Sequence, residues 1–375
     1  MDLIVYSHLR WDFVYQRPQH VLSRFGARGW NVLFVEEPIA GDRRLHLEEV
    51  ATGVTVVRPE LPAGLDAAAR EREVRQLLER ELRLRRVHRP VLWFYTPMAV
   101  PLADTSTARA VVYDCMDELS AFAGADPLMR EREAKLLARA DLVFTGGRSL
   151  YEAKRARHDA TYCFPSSVDV AHYSRAREWK DERPDQAAIP RPRLGYFGVI
   201  DERFDVGLLD GMAAQAPGWS FVVIGPVVKI DPRALPSRPN IHYLGPKKYD
   251  ELPGYIATWD VALIPFARNA ATRYISPTKV LEYMAAGKPV VSTSIPDIVT
   301  PYGEQRLVRI ADSPLLSIAA ARDGMSEDAR ARVEAFDRYL AGTSWDRTAS
   351  QMESLVRAVA DGHAPALRER EAAAA

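Results

Sequence analysis

Apolar positions along this chain follow two alternating patterns. Short runs rich in Val, Ile, Phe and Tyr are separated by longer stretches in which apolar residues recur every three or four positions. The first pattern predicts buried strands and the second predicts helices lying across a sheet, so their alternation predicts crossover units on parallel sheets. In the first half the expected strands are Leu3–Ser7, Asn31–Glu36, Val54–Val57, Val91–Thr96, Ala110–Asp114, Leu142–Gly146 and Thr161–Pro165. A helix is expected from Pro18 to about Arg28, with proline in its first turn and Gly29 after its end, as helix termini prefer. Over 174–192, "SRAREWKDERPDQAAIPRP", the apolar period vanishes, which predicts a linker. The alternation resumes with Arg193–Gly198, Ser220–Gly225, Ile241–Gly245, Val261–Phe266, Pro289–Thr293 and Arg306–Ile310. The expectation is therefore two tandem doubly wound, Rossmann-like α/β domains, 1–173 and 193–342, facing across a cleft. An amphipathic helix over 343–360 and a flexible tail over 361–375 complete it. Such sheets bind ligands at the carboxyl ends of their strands, so the cleft is the expected site.

Composition narrows this picture without redirecting it. The 375 residues exceed what one core usually covers, and 47% apolar with 27% charged residues describes a globular protein. Fifty Lys plus Arg balance fifty Asp plus Glu, so no global field recruits nucleic acid. Cys115 and Cys163 have no metal-ligand spacing and fit a reducing compartment. No run is long enough to span a membrane and no leader pattern opens the chain, so a cytoplasmic location is expected. Arg70–Arg89 packs eight arginines around Val74, Leu77, Leu78, Leu82 and Val87. That pattern suits a helix pressed on anionic lipid, and with its interleaved glutamates it equally suits a solvated helix on the sheet.

The stretch "ISPTKVLEYMAAGKPVVST", Ile275 to Thr293, carries the sharpest chemistry. Ser276 is a good N-cap, Pro277 fits the first helical position, and Lys279 and Glu282 fall three residues apart on one side of the helix. Free amides and the positive dipole end form an anion site there, to which Lys279 adds a full charge. Glu282, about one turn on, has the acceptors for two vicinal hydroxyls. Phosphate next to ribose means a nucleotide. The same residues also fit a plain capped helix with a surface ion pair.

This stretch resembles the donor-binding segment of the GT-B glycosyltransferases, in particular the large retaining class called family 4. Four further segments resemble that class in the same order: "ADLVFTGGRSLYEAKR", "FPSSVDVAHYS", "LGYFGVIDERFD" and "LGPKKYDELPGYIATWDVALIPF". The opening "SHLRWDFVYQRPQHVLSRF" is closer to a bacterial branch associated with envelope polysaccharides. The resemblance implies that Arg203 meets the donor diphosphate after Gly198, reinforced by Lys279. It also implies that Glu282 binds the ribose and that Gly245 and Lys247 border the base. Tyr274 stands where relatives often carry a second glutamate toward the sugar, and Val199 where they often carry an arginine. In the first domain Met116 replaces the usual histidine of a loop after a strand, which raises Asp117, or Asp114, as the contact to the transferring sugar. The loop after the first strand holds His8, Arg10, Trp11, Arg17 and His20. These side chains suit stacking on an acceptor sugar or clamping a phosphate, and Trp11 and His20 equally suit packing.

What the resemblance implies overall is transfer of a sugar from a UDP- or GDP-sugar, acting as co-substrate with no other cofactor, to a saccharide or lipid-linked saccharide. The setting implied is synthesis of envelope polysaccharide, exopolysaccharide or glycolipid, with peripheral contact at the inner face of the cytoplasmic membrane. Arg203, Lys279 and the Ser276–Thr278 amides would stabilise the departing diphosphate, where one such donor contributes about 3 kcal/mol. No Asp-x-Asp pair stands near a strand end, so metal-independent transfer is expected. The alternatives are a nucleotide-sugar epimerase of the same fold and a non-catalytic nucleotide-sugar-binding partner protein.

Overall fold

Most of the apolar runs fold into strands whose side chains are buried on both faces, as parallel sheets covered by helices require. The computed structural model describes residues 1–365, and the chain divides into two units: Met1–Pro165 with the segment from Trp345 onward, and Ser166–Ser344. No helix among the described residues is long and apolar enough to cross a membrane.

The first unit holds strands β1 (Asp2–Tyr6), β2 (Asn31–Val35), β3 (Ile39–Ala40), β4 (Arg44–Ala51), β5 (Val54–Leu61), β6 (Val91–Phe94), β7 (Ala110–Cys115), β8 (Leu142–Thr145) and β9 (Thr161–Cys163). They line up as β3-β5-β2-β1-β6-β7-β8-β9, parallel throughout except that β4 pairs antiparallel with β5. Helices α1 (Arg17–Ala27), α2 (Ala67–Leu84), α3 (Met129–Leu137) and α4 (Arg148–Lys154) connect them. The β4 hairpin was not expected from the pattern, because "RLHLEEVA" is an edge strand largely open to solvent and lacks a buried run. β5 accordingly runs four residues past its expected end at Val57, to Leu61.

The second unit holds α5 (Val170–Ser174), α6 (Pro184–Ala187), β10 (Arg193–Phe197), α7 (Val206–Gln215), β11 (Ser220–Ile224) and β12 (Ile241–Gly245). After these come α8 (Leu252–Ile256), β13 (Val261–Ile264), α9 (Lys279–Ala285), β14 (Val290–Ser292), α10 (Pro296–Ile298), β15 (Arg309–Ile310), α11 (Pro314–Ser326) and α12 (Ala329–Leu340). Its all-parallel sheet has the order β12-β11-β10-β13-β14-β15. The final helix α13 (Trp345–Ala360) returns to the first unit, where Trp345, Ala349, Met352, Leu355 and Val356 join the core beside α1.

The segment expected as a linker over 174–192 is instead packed into the second unit. Gln186 is fully buried; its amide donates to the Tyr255 carbonyl at 3.1 Å, and its oxygen accepts from the Trp259 indole at 3.0 Å. Trp179 lies under the guanidinium groups of Arg175 and Arg183. Polar and cation–π contacts hold this segment, so it has no apolar period to read. The division between units falls earlier, at Pro165 and Ser166. Of the expected tail, residues 366–375 lie outside the described part of the chain.

Candidate functional site

In the second unit the winding direction reverses between β10 and β13, and a crevice opens outside the carboxyl ends of such strands. Gly198 directly follows β10. Its φ of +143° lies in the region that favours glycine, and a Cβ there would fall 2.2 Å from Lys279 Cε and 2.7 Å from its Nζ. The neighbouring strand ends the same way: a Cβ on Gly225 (φ +142°) would meet the Gly198 carbonyl at 1.9 Å. Two side-chain-free strand ends therefore let Lys279 lie across the tip of the sheet. Its ammonium sits 5.7 to 6.0 Å from the ring centroids of Tyr196, Phe197 and Phe266, within cation–π range.

The loop after β10 carries Arg203, whose Nε and Nη2 donate to the Asp201 carboxylate at 2.9 and 2.6 Å. Asp201 is buried and also accepts from the Arg203 backbone amide. The loop after β13 is tied to this one, since Ala267 N donates to the Arg203 carbonyl and Asn269 Nδ2 to the Glu202 carbonyl. Arg203 thus stands on a loop braced by the segment that leads from β13 toward α9, whose first residue is Lys279.

Glu282 lies in the first turn of α9 and is buried. Tyr173 of α5 donates its hydroxyl to Glu282 Oε1 at 3.0 Å. Burial pushes the Glu282 carboxyl up to about 7, against the opposing pull of Lys279 and Tyr173. Tyr173 itself is fixed by rings: Phe197 stacks on it at 6.1 Å, and His172 and Tyr249 meet it edge-on.

Two of the expected details are corrected here. Helix α9 begins at Lys279 with Thr278 as N-cap and no side-chain cap, so Ser276 is not the cap and Pro277 is not its first residue. The reason is local: the Ser276 carbonyl accepts from Ser166 Oγ, and Val280 N closes a tight turn on the Pro277 carbonyl before the regular ladder starts with Glu282 N to Thr278 O. Lys247 is held at 2.7 Å by Asp185 of α6 and packs over Tyr255, so its charge is already matched. Burial opposes the Asp185 charge, but Lys247 and Tyr255 outweigh it and keep that carboxyl below its usual range. Gly245, at the end of β12, adopts φ +68° and accepts from Gly225 N at 3.0 Å.

In the first unit several expected acceptor-side groups prove to be internal. Arg17 forms a two-pronged ion pair with Asp114, 2.8 and 3.1 Å, and reaches the Phe164 carbonyl. Both residues are buried; burial opposes the Arg17 charge, yet the Asp114 carboxylate outweighs it and holds the guanidinium protonated. His20 is sandwiched between Trp345, stacked at 4.7 Å, and the edge-on Tyr15 ring. Trp11 packs edge-on against Phe34. Arg17, Asp114 and His20 are buried, with their polar and aromatic surfaces engaged inside the unit, and Trp11 is half-buried. His8 is half-buried in the loop after β1, where Leu9 N donates to Ser7 Oγ. That loop is anchored by Glu36, at the end of β2, which accepts from Arg10, Arg58 and the Trp11 amide. Asp117 is half-buried in the loop after β7, and the next residue, Glu118, is moored to buried Lys154 at 2.6 Å. Glu36, Lys154, Asp201 and Tyr173 were not singled out from sequence, since each works through a partner distant in the chain or in a loop without periodicity. Among the described residues no group of His, Cys, Asp and Glu forms a metal site.

Residues 192–322, spanning this strand-end site, match the family model described as "Glycosyl transferases group 1". A Bacillus subtilis (strain 168) protein, TuaH, provisionally named as a teichuronic acid biosynthesis glycosyltransferase, is 24% identical over 274 residues, covering 67% of this chain and 68% of that one. A solved sucrose-phosphate synthase from Thermosynechococcus elongatus superposes with a TM-score of 0.73 at 16% identity, covering 96% of this chain and 99% of that one. An E. coli trehalose-6-phosphate structure bound with UDP-2-fluoro glucose does so with a TM-score of 0.67 at 12% identity, covering 95% and 99%.

Proposed function

We propose that this chain, a glycosyltransferase on the GT-B fold, is of the group 1 type and moves a sugar from a UDP- or GDP-sugar to a saccharide or lipid-linked saccharide of an envelope polysaccharide, exopolysaccharide or glycolipid. The observation that carries the reading is the Gly198–Lys279–Glu282 arrangement: one cation laid over a side-chain-free strand end and one buried carboxylate a turn away. A diphosphate fits the first and a ribose diol the second. The relative bound with a UDP-sugar analogue and the relative named for teichuronic acid synthesis support the donor and acceptor classes respectively.

As the anomeric bond breaks, negative charge grows on the departing diphosphate while the sugar becomes oxocarbenium-like. Lys279 and Arg203 would stabilise that charge from fixed positions, which needs no reorganisation at the moment of reaction. The loop carrying Arg203 is hydrogen-bonded to the segment that leads toward α9 and Lys279, and Asp201 orients the guanidinium. Glu282, with Oε1 occupied by Tyr173, would present its second oxygen to the ribose. Retention of anomeric configuration, metal independence and a sugar contact from Asp117 belong to this proposal, as does action at the inner face of the cytoplasmic membrane. The test is product analysis: donor plus acceptor should yield a glycosylated acceptor, and Lys279→Ala should abolish it. Isomerised donor in the absence of acceptor would assign an epimerase and overturn the proposal.

A further inference from the structure

The last turn of α2 and the residues after it carry positive charge that the protein itself does not match. Positions 80–89 hold Arg80, Arg83, Arg85, Arg86 and Arg89 against a single carboxylate, Glu81. Arg85 pairs with Glu81 at 2.6 Å, and Arg83 reaches Glu79 only at 4.0 Å. The guanidinium groups of Arg80, Arg86 and Arg89 make no hydrogen bond or ion pair among the described residues. In their midst Leu84 is 69% exposed, although the same helix buries Val74 and Leu78 against the unit. Arg80 and Leu84 are four residues apart with Arg83 beside them, so cations and an apolar side chain share one outward face.

The backbone adds an independent sign. Arg86 has φ +55° and closes α2, its amide donating to the Arg83 carbonyl and the next amide to the Leu82 carbonyl. That position of a helix terminus favours glycine. Arg89 is also left-handed, at φ +50°. Two guanidinium groups are thus kept where a residue without a side chain would be less strained, which marks such positions as candidates for function.

We propose that Arg80–Arg89 docks the first unit on an anionic phospholipid surface, with the arginines among the headgroups and Leu84 entering the interface. The chemistry is that of a partly embedded basic helix end, where apolar burial and attraction to anionic lipid act together. The inference deepens the proposed function, because a lipid-linked acceptor resides at such a surface, but its test uses no substrate and is read apart from transfer activity.

The experiment is co-sedimentation of the full chain with phosphatidylcholine vesicles, with and without phosphatidylglycerol. The chain is expected to partition onto the anionic vesicles only, and less at high salt. The triple change Arg80→Gln/Arg86→Gln/Arg89→Gln should lower partitioning on the order of 100-fold, at about fivefold per arginine. Leu84→Ser should lower it several-fold with unchanged salt dependence. A control, Arg233→Gln/Arg330→Gln on the second unit, should partition as the unaltered chain. Thermal midpoints should confirm that all variants are folded, as these side chains lie in solvent. Absence of binding to anionic vesicles, or equal binding by the triple variant, would overturn the proposal. So would full displacement by a soluble anionic polysaccharide with no effect of Leu84→Ser, which would assign the patch to a polymer instead.

Discussion

Gly198 and Lys279 determine each other's place. A methyl group at position 198 would collide with the lysine stem, and the backbone there has a φ that side chains rarely adopt. Gly198→Ala should therefore cost about 1–3 kcal/mol of stability from strain alone and weaken nucleoside diphosphate binding in the same variant, read by denaturant unfolding and by titration. Glu282 gives a pH signature. Its carboxyl is raised from 4.5 to about 7 in the folded protein, so the folded state holds that proton more tightly than the unfolded one. The resulting stability is fully present below about pH 4.5 and is lost as the pH rises through 7. Glu282→Gln should accordingly stabilise the ligand-free protein at pH 8 by on the order of 2–3 kcal/mol, with the gain shrinking toward pH 5. Nucleotide affinity should behave oppositely, falling below pH 7 in the unaltered chain as the acceptor is protonated. Tyr173→Phe removes a hydrogen bond that favours the ionised form, so it should move that midpoint to higher pH. Lys279 and Glu282 were legible from their spacing, because a helix period places them on one side. Tyr173 and Asp201 were not, since what gives them a role is a contact that no local pattern records.

At the scale of elements, the apolar runs read well because buried parallel strands have to be continuous in Val, Ile and Phe. Where polar contacts do the packing, the reading fails: the segment 174–192 looks like a linker and folds around Trp179 and Gln186. Helix α1 shows a related limit. From sequence Arg17 and His20 suit a ligand, and in the structure they tie α1 to β7 and to α13. Buried charge makes the tie asymmetric to change. Asp114→Ala strands the Arg17 guanidinium and should cost about 3–5 kcal/mol, whereas the paired change Arg17→Met/Asp114→Leu should cost far less. Equilibrium unfolding of the two variants checks this, and equal losses would mean that the pair acts through packing rather than charge.

For the whole molecule, two Rossmann-like units follow from the alternation of strands and helices, and the reversal of winding at β10 and β13 follows only from the sheet order. That reversal is what brings Gly198, Arg203 and Lys279 to one end of the second sheet. The central claim is that this end is a nucleoside diphosphate site with Lys279 at phosphate and Glu282 at ribose. Calorimetric titration with UDP, GDP and 2′-deoxy-UDP addresses it directly. One ribonucleotide should bind the unaltered chain, and Lys279→Ala should weaken it about 10- to 100-fold, as loss of a hydrogen bond to a charged group implies. Preference for UDP over its 2′-deoxy form should vanish in Glu282→Ala. Binding unchanged in both variants, or no nucleotide bound by the unaltered chain, would contradict the account.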